Sequence, residues 1–210
     1  LEGKNLLFYT KKGYVKRTLS SDCILVKSFY NIINLKDDDQ LLFVQVEIGH
    51  DGVLMVTKNG MALNFETSEV PTQTRGAGGV MGINLDDNDE VIFASIVTTR
   101  GSITVVADNG YAKKVPISEY SVMARYRKGL RIISFNENGK TLVYARYSEN
   151  PEAIVLVKDE KCTLISSRTI GYDSRVSKGK QISKGKLNKI YTYLVWKGRL
   201  WEKRTKREMK

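Results

Sequence analysis

A repeat of about 50 residues constrains this sequence more than any other feature. Three segments, 6–17, 53–65 and 103–115, each contain an apolar run, a short polar turn with glycine, and a second run. The turns Lys-Asn-Gly and Asp-Asn-Gly supply residues that accept positive φ, which predicts a tight β-hairpin. A fourth segment, 154–165, has the same order of apolar run, polar turn and second run but lacks the glycine. We therefore predict four hairpins.

Two other landmarks follow the same period. Arginines at 75, 125 and 175 are each followed four residues later by a glycine, at 79, 129 and 179. Segments 33–39, 83–89 and 133–139 each pair a short apolar run with a polar turn and lead into another apolar run, at 41–46, 91–96 and 142–147. Each repeat is therefore predicted to hold about four strands.

Four-stranded units at this period predict an all-β fold, a propeller-like ring in which each blade buries its faces against its neighbours. Two stacked sheets of a β-sandwich are the alternative, but a sandwich would rarely repeat its turn residues at constant spacing. We expect one domain over residues 1–194. Residues 195–210 form a basic tail that matches no motif, either a short helix or a disordered segment.

Basic residues are concentrated towards the end of the chain. The formal charge of +11 divides into +1 for residues 1–50, −4 for 51–100, +4 for 101–150 and +10 for 151–210. Clustered lysine and arginine bind polyanions by releasing counterions from phosphates, which favours a nucleic-acid partner. A soluble protein with a merely basic tail is the plainer interpretation.

Several other classes of protein lack support in the sequence. No apolar run approaches the roughly 20 residues that span a bilayer, and the N-terminus has no signal-peptide pattern. The two cysteines, Cys23 and Cys162, are far apart and unlike a metal or disulfide framework. We therefore expect a protein of the reducing cytoplasm.

Four motifs together resemble blade signatures of one family, the C-terminal domain of the A subunit of bacterial type IIA topoisomerases. They occupy residues 10–18 (Thr-Lys-Lys-Gly-Tyr-Val-Lys-Arg-Thr), 57–65, 75–85 and 124–130, within a resemblance that runs from about residue 4 to 194. It implies a β-pinwheel, a propeller variant in which neighbouring blades exchange strands, with a basic outer rim that binds and bends duplex DNA. Family members usually have five or six blades, whereas four are recognised here.

The resemblance also implies a non-catalytic role for this chain. The strand-passage core of the A subunit, the ATPase B subunit, and the cofactors ATP and Mg²⁺ would belong to the parent enzyme, and no cofactor is expected here. Gyrases carry a Gln-Arg-Arg-Gly-Gly-Lys-Gly box in this domain. The stretch 73–79 keeps Gln73, Arg75, Gly76 and Gly79 but has Thr74 and Gly78 at the other basic positions, so the resemblance is closer to topoisomerase IV.

Basic residues that recur after the hairpin turns and within the Arg-to-Gly segments are the predicted DNA contacts, since they would line one rim. Glycine beside them lets backbone N–H groups approach phosphate. The predicted set is Lys16, Arg17, Arg75, Lys113, Lys114, Arg125, Arg127, Lys128, Arg131, Arg175, Lys178, Lys180, Lys184 and Lys186. In the alternative interpretation the arginines cap carbonyls between blades and the glycines only make turns.

Catalysis finds little support, because His50 is the only histidine available to a triad. The acidic runs at 37–39 and 86–89, and Glu137, resemble a metal site only in composition and are interpreted as turns. The main rival function is a protein-interaction propeller, which would show an apolar or aromatic patch instead of a basic rim.

Overall fold

The computed structural model describes residues 3–24, 30–49, 52–135, 139–187 and 189–193. Within them the chain forms strands and short 3-10 helices. The strands are β1 (Asn5–Thr10), β2 (Tyr14–Leu19), β3 (Leu41–Val46), β4 (Gly52–Thr57), β5 (Met61–Glu66), β6 (Val80–Met81), β7 (Val91–Val97), β8 (Ser102–Ala107), β9 (Tyr111–Pro116), β10 (Leu130–Arg131), β11 (Leu142–Ser148), β12 (Ala153–Lys158), β13 (Lys161–Ser166), β14 (Lys180–Gln181) and β15 (Lys189–Tyr193). The 3-10 helices span Ser20–Cys23, Thr67–Glu69, Ile117–Glu119 and Ser167–Thr169.

The strands form four antiparallel sheets, one for each hairpin. Their orders are β3-β1-β2-β6, β10-β5-β4-β7, β11-β8-β9-β14 and β13-β12-β15. In the first three sheets the two-residue strand at one edge comes from the next repeat along the chain. The all-β blade repeat with strand exchange between neighbours is therefore confirmed. The fourth sheet has three strands among the described residues.

The hairpin glycines explain why the turn motif recurs. Gly13, Gly60 and Gly110 have φ of 84°, 83° and 82°, a region that L side chains rarely adopt. Their carbonyl oxygens accept hydrogen bonds from Gly82, Ile132 and Ile182, which directly follow the exchanged strands. In the fourth hairpin Asp159 takes the positive φ, at 52°. The turn thus both closes a hairpin and joins it to the next repeat.

The hydrophobic core lies between blades. On β4, Val53 and Met55 pack in the cluster shared with the first blade, whereas Leu54 and Val56 pack in the cluster shared with the third. A third cluster joins the last two blades through residues such as Val106 and Leu156. Strands that are buried on both faces read as continuous apolar runs, which is what segments 53–56 and 105–107 show.

The polar turns have the local role predicted for them. The Asp39 carboxylate accepts the backbone N–H groups of Lys12 and Gln40, each at 2.8 Å. Asp89, 50 residues later, does the same for Asn59 and Glu90. The apolar residues beside these turns do not form the short strands that we expected. Ile83 and Ile133 are buried between blades, and the strands lie slightly earlier, at β6 and β10.

Candidate nucleic-acid interface

The segments that contain the Arg-to-Gly motifs lie at the outer edges of the blades. Inner strands pack on one another in chain order, β3 on β7, β7 on β11 and β11 on β15. The exchanged strands β6, β10 and β14 lie at the opposite edges of their sheets. We call residues 74–81, 124–131 and 174–181 the rim segments, since each consists of an exchanged strand and the loop before it.

Glycine is required where each rim segment meets the preceding blade, with which its exchanged strand pairs. Gly79, Gly129 and Gly179 have φ of 83°, 80° and 78°. A Cβ at Gly79 would lie 2.7 Å from the Val15 carbonyl oxygen, and one at Gly179 would lie 2.5 Å from that of Ala112. The recurring glycine therefore permits the close backbone approach that lets a segment pair with the preceding blade.

Successive rim segments are joined by backbone hydrogen bonds at a constant spacing of 50 residues. Asn84, just after the first rim segment, donates to Arg127 at 3.0 Å, and Ser134, just after the second, donates to Ser177 at 3.0 Å. The equivalent bond before the first rim segment runs from Asn34 to Ala77 at 3.5 Å. The first two bonds each tie the residues just after one exchanged strand to the loop of the next rim segment. The rim segments consequently form one continuous outer surface.

The arginines of the motif take part in holding this surface together. The guanidinium of Arg125 donates to the Met81 carbonyl oxygen, and that of Arg175 donates to the Arg131 oxygen at 2.9 Å. Arg75 instead stacks over the Tyr30 ring, 4.6 Å from its centroid. Arg125 and Arg175 therefore cap carbonyl groups between blades, as the alternative interpretation predicts. Both side chains remain partly exposed.

Two predicted contact residues are buried, so the expectation that they lie on the rim surface is wrong. Lys16 is 0% exposed and Lys113 is 1% exposed. The Lys113 ammonium donates to three carbonyl oxygens of the third rim segment, those of Ser174 at 2.7 Å, Arg175 at 2.9 Å and Ser177 at 2.8 Å. Burial lowers the pKa of Lys113 to about 8. Its role is to anchor the rim segment to blade three.

Lys16 occupies the equivalent position in the first blade. Its ammonium donates to the Ile32 carbonyl oxygen at 2.5 Å, and burial lowers its pKa. Blade two has Leu63 here, also fully buried. An inward-facing position can therefore hold either an apolar side chain or a lysine whose ammonium reaches carbonyl groups.

The basic residues that follow these lysines are only partly available to bind phosphate. Arg17 makes a two-bond ion pair with the buried Glu47, both bonds at 2.9 Å. The Lys114 ammonium lies 4.5 Å from the centroid of the exposed Tyr172 ring. Arg17 thus has a structural partner, whereas Lys114 faces the surface beside an aromatic side chain.

The remaining predicted residues are exposed, and they lie on or just after the second and third rim segments. The Lys128 ammonium pairs with Asp86, and that of Lys178 lies 5.8 Å from the centroid of the Tyr111 ring. Exposed ion pairs and exposed cation–π contacts are both weak, so neither interaction withholds its lysine from phosphate. These remaining exposed residues are Arg127, Lys128, Arg131, Lys178, Lys180, Lys184 and Lys186.

Sequence reasoning missed two acidic residues that hold the rim. Carboxylate oxygens of Glu69 and Glu119 accept the backbone N–H groups of Arg125, at 2.8 Å, and Arg175, at 2.9 Å. The signal was available, because these glutamates recur 50 residues apart in a Ser-Glu pair after a hairpin. Each lies in a 3-10 helix of the preceding repeat.

Among the described residues, no three His, Cys, Asp or Glu side chains are grouped so as to hold a metal ion. No helix in that part of the chain is long and apolar enough to cross a membrane. His50, Glu137 and the tail at 195–210 lie outside the described residues.

Comparison with known proteins identifies the family. Residues 4–22, 53–98 and 102–142, just over half of the chain, match the model of the DNA gyrase C-terminal domain, a β-propeller. These segments cover the first three hairpins and the first two complete rim segments. The chain belongs to this family of C-terminal domains, which are found in topoisomerase A subunits.

Sequence relatives with this domain are gyrase A subunits. The chain is 40% identical over 78 residues to the DNA gyrase A subunit of Deinococcus deserti, a match that covers 37% of this chain and 10% of that protein. The corresponding protein of Clostridium acetobutylicum is 38% identical over 78 residues, 37% of this chain and 9% of that protein. The matched region therefore spans about a tenth of these relatives.

Solved structures agree over nearly the whole chain. The C-terminal domain of a DNA topoisomerase IV has a TM-score of 0.85 at 25% identity, and the match covers 99% of this chain and 68% of that one. A DNA gyrase A C-terminal domain has a TM-score of 0.77 at 23% identity, covers 92% of this chain and 67% of that one, and shows the shared fold.

Proposed function

We propose that this domain binds and bends duplex DNA along its outer rim and presents that DNA to the strand-passage core of a type IIA topoisomerase. One observation carries the proposal: the rim segments are hydrogen-bonded into a continuous surface on which exposed Lys and Arg recur. Duplex DNA carries about one negative charge per 1.7 Å of axis, so bending it requires cations spread along a curved surface.

The finer assignment that we propose is topoisomerase IV rather than gyrase. Gly78 stands at a basic position of the gyrase box, and a Cβ there would lie 2.8 Å from the Asn34 backbone oxygen. A lysine at 78 would therefore require the neighbouring backbone to move. One topoisomerase IV C-terminal domain has a higher TM-score than a gyrase A domain, 0.85 against 0.77, which supports the same assignment, although the sequence relatives are gyrase A subunits.

The partners follow from this role. We propose that the domain works beside the strand-passage core of the A subunit, together with the ATPase B subunit, in an ATP- and Mg²⁺-dependent enzyme on the bacterial chromosome in the cytoplasm. The chain itself contributes phosphate contacts and DNA curvature, and it performs no bond-making step. Mostly phosphate contacts make binding tolerant of sequence and steeply dependent on salt.

The test is equilibrium binding to duplexes of about 20 to 150 base pairs at several salt concentrations, with dyes on both DNA ends to report bending. The variant carries Arg127→Gln, Lys128→Gln and Arg131→Gln, three exposed cations of the second rim segment. Arg100→Gln, Lys140→Gln and Lys161→Gln, at exposed positions outside the rim segments, form the control with the same change of net charge.

Tight, length-dependent binding with closer DNA ends is expected of the unmodified protein. Each phosphate contact removed lowers the salt slope by about 1, so the rim variant loses up to about 3 and the control much less. Equal losses in both variants would show that only net charge matters and that the rim is not the interface. No binding at low salt would favour a protein-interaction propeller.

A further inference from the structure

Tyr126 has an unusual backbone conformation at the tip of the second rim segment. Its φ is 64°, and the other described non-glycine residues with positive φ are Asp38, Asn88 and Asp159, which tolerate that region in turns. The first rim segment has Gly76 at the equivalent position, with φ of 78°. A bulky aromatic residue therefore stands where glycine would be unstrained.

Hydrogen bonds on both sides accompany this conformation. The Tyr126 N–H donates to the Gly82 carbonyl oxygen at 2.8 Å. The preceding N–H, of Arg125, donates to Glu69, and the following carbonyl, of Arg127, accepts from Asn84 at 3.0 Å. The loop is thus held to two neighbouring segments. The bonds of Arg125 and Arg127 have counterparts at Arg175 and Ser177, where Val176 does not have positive φ, so the bond from the Tyr126 N–H is the one particular to this conformation.

Burial of the ring does not compensate for the strain, since Tyr126 is 52% exposed. Its neighbours Arg127 and Lys128 are exposed too. In the third rim segment the equivalent residue is Val176, which is 56% exposed and lies between Arg175 and Lys178. Two successive loop tips therefore present an apolar side chain between cations.

We propose that Tyr126 is a wedge that enters the minor groove of bound duplex DNA and packs against sugars and a base step, with Val176 making the corresponding contact one blade further along. This inference rests on the proposed DNA-binding function. Apolar wedges between base steps partly unstack them and bend DNA, while flanking cations hold the phosphates. Bending would then be concentrated at the loop tips.

The decisive variant is Tyr126→Asn, because asparagine accepts positive φ, removes the ring and leaves every rim charge in place. Tyr126→Phe is the matched control that keeps the ring. Binding is measured with end-labelled duplexes and with a set of duplexes that carry 2-aminopurine at successive positions. The fluorescence of 2-aminopurine rises when its neighbours unstack, and thermal unfolding of each variant checks the fold.

Tyr126→Asn is expected to lower affinity by about tenfold, equivalent to about 1.4 kcal/mol, to lower the 2-aminopurine signal to the part contributed by Val176 and to reduce end-to-end transfer, with an unchanged salt slope. Its thermal stability should equal or exceed that of the unmodified protein, and Tyr126→Phe should behave like the latter. Unchanged bending and 2-aminopurine signals in Tyr126→Asn would overturn the wedge while leaving DNA binding intact. Failure of the unmodified protein to bind DNA would overturn both proposals.

Discussion

At the scale of single residues, the buried lysines anchor the rim, whereas their exposed neighbours provide its surface charge. Lys113 and Lys114 are neighbours on β9, and successive side chains on a strand point to opposite faces. Lys113 therefore points into the protein and holds three carbonyl groups of the third rim segment. Two adjacent basic residues in a strand cannot both line one surface.

The first prediction concerns the Lys113 anchor. Lys113→Met keeps most of the side-chain volume but leaves the carbonyl groups of Ser174, Arg175 and Ser177 without their donor. We expect the free energy of unfolding to fall by about 1 to 3 kcal/mol, the cost of unsatisfied buried acceptors. Urea unfolding measures this loss, and an unchanged stability would show that water replaces the ammonium.

The pH dependence of stability tests the same residue. Burial lowers the pKa of Lys113 to about 8 from its ordinary 10.5, so between these values the unfolded chain binds more protons than the folded one. The contribution of Lys113 to the free energy of unfolding therefore rises with pH in this window, by up to about 1.4 kcal/mol per pH unit. Above about pH 10 the trend reverses, because burial raises the pKa of Tyr9 and Tyr120 and their ionisation favours unfolding.

Lys113→Met provides the comparison for this pH effect. It lacks the titrating group, so the stability gap between the unmodified protein and the variant should widen from about pH 8 to about pH 10, within the window set by the shifted pKa. Urea unfolding of both proteins at each pH measures the gap. A gap that narrows would mean that the carbonyl groups favour the charged ammonium more strongly than burial opposes it.

At the scale of elements, the hairpins were predictable from local sequence. Strand exchange was implied by the family resemblance, but the positions of the exchanged strands were not predictable. Hairpin glycines are a local signal, since Gly13, Gly60 and Gly110 follow polar turn residues between apolar runs. The exchanged strands β6, β10 and β14 are two residues long and pair with strands of an earlier repeat, so no local periodicity marks them. The Arg-to-Gly spacing located the rim, but it could not show that Arg125 and Arg175 cap carbonyl groups.

Strand exchange itself is testable through Gly179. Gly179→Ala places a Cβ 2.5 Å from the Ala112 carbonyl oxygen at a φ of 78°, so β14 cannot pair with β9 as it does now. We expect a loss of about 2 kcal/mol or more in the free energy of unfolding, from strain and lost pairing. Thermal unfolding measures this loss.

Gly171→Ala is the matched control in the same repeat. A Cβ at Gly171 has nothing within 4 Å, and its φ lies outside the left-handed region. Stability should be unchanged or slightly higher, because alanine restricts the unfolded chain. Equal destabilisation by both substitutions would indicate that loop flexibility, rather than the close approach of β14 to β9, determines stability.

At the scale of the whole molecule, the charge of the rim is graded along the chain. The first rim segment carries Arg75 and is followed by Asp86, Asp87 and Asp89. The second and third carry several exposed cations each, and Lys184 and Lys186 follow the third. Repeats that share a backbone plan thus differ in their electrostatic potential, and a bound polyanion should lie closest to the second and third segments.

The single substitutions Arg75→Gln, Arg127→Gln and Lys180→Gln each remove one exposed charge, one from each rim segment. Binding measured against salt concentration should show a slope lower by about 1 for Arg127→Gln and Lys180→Gln, the value for one lost phosphate contact. Arg75→Gln should change the slope much less, because its guanidinium stacks on Tyr30 and the acidic turn repels phosphate. If Arg75→Gln instead gave the largest change, the DNA path would begin at the first rim segment, where gyrases carry their basic box, and the assignment to topoisomerase IV would be wrong.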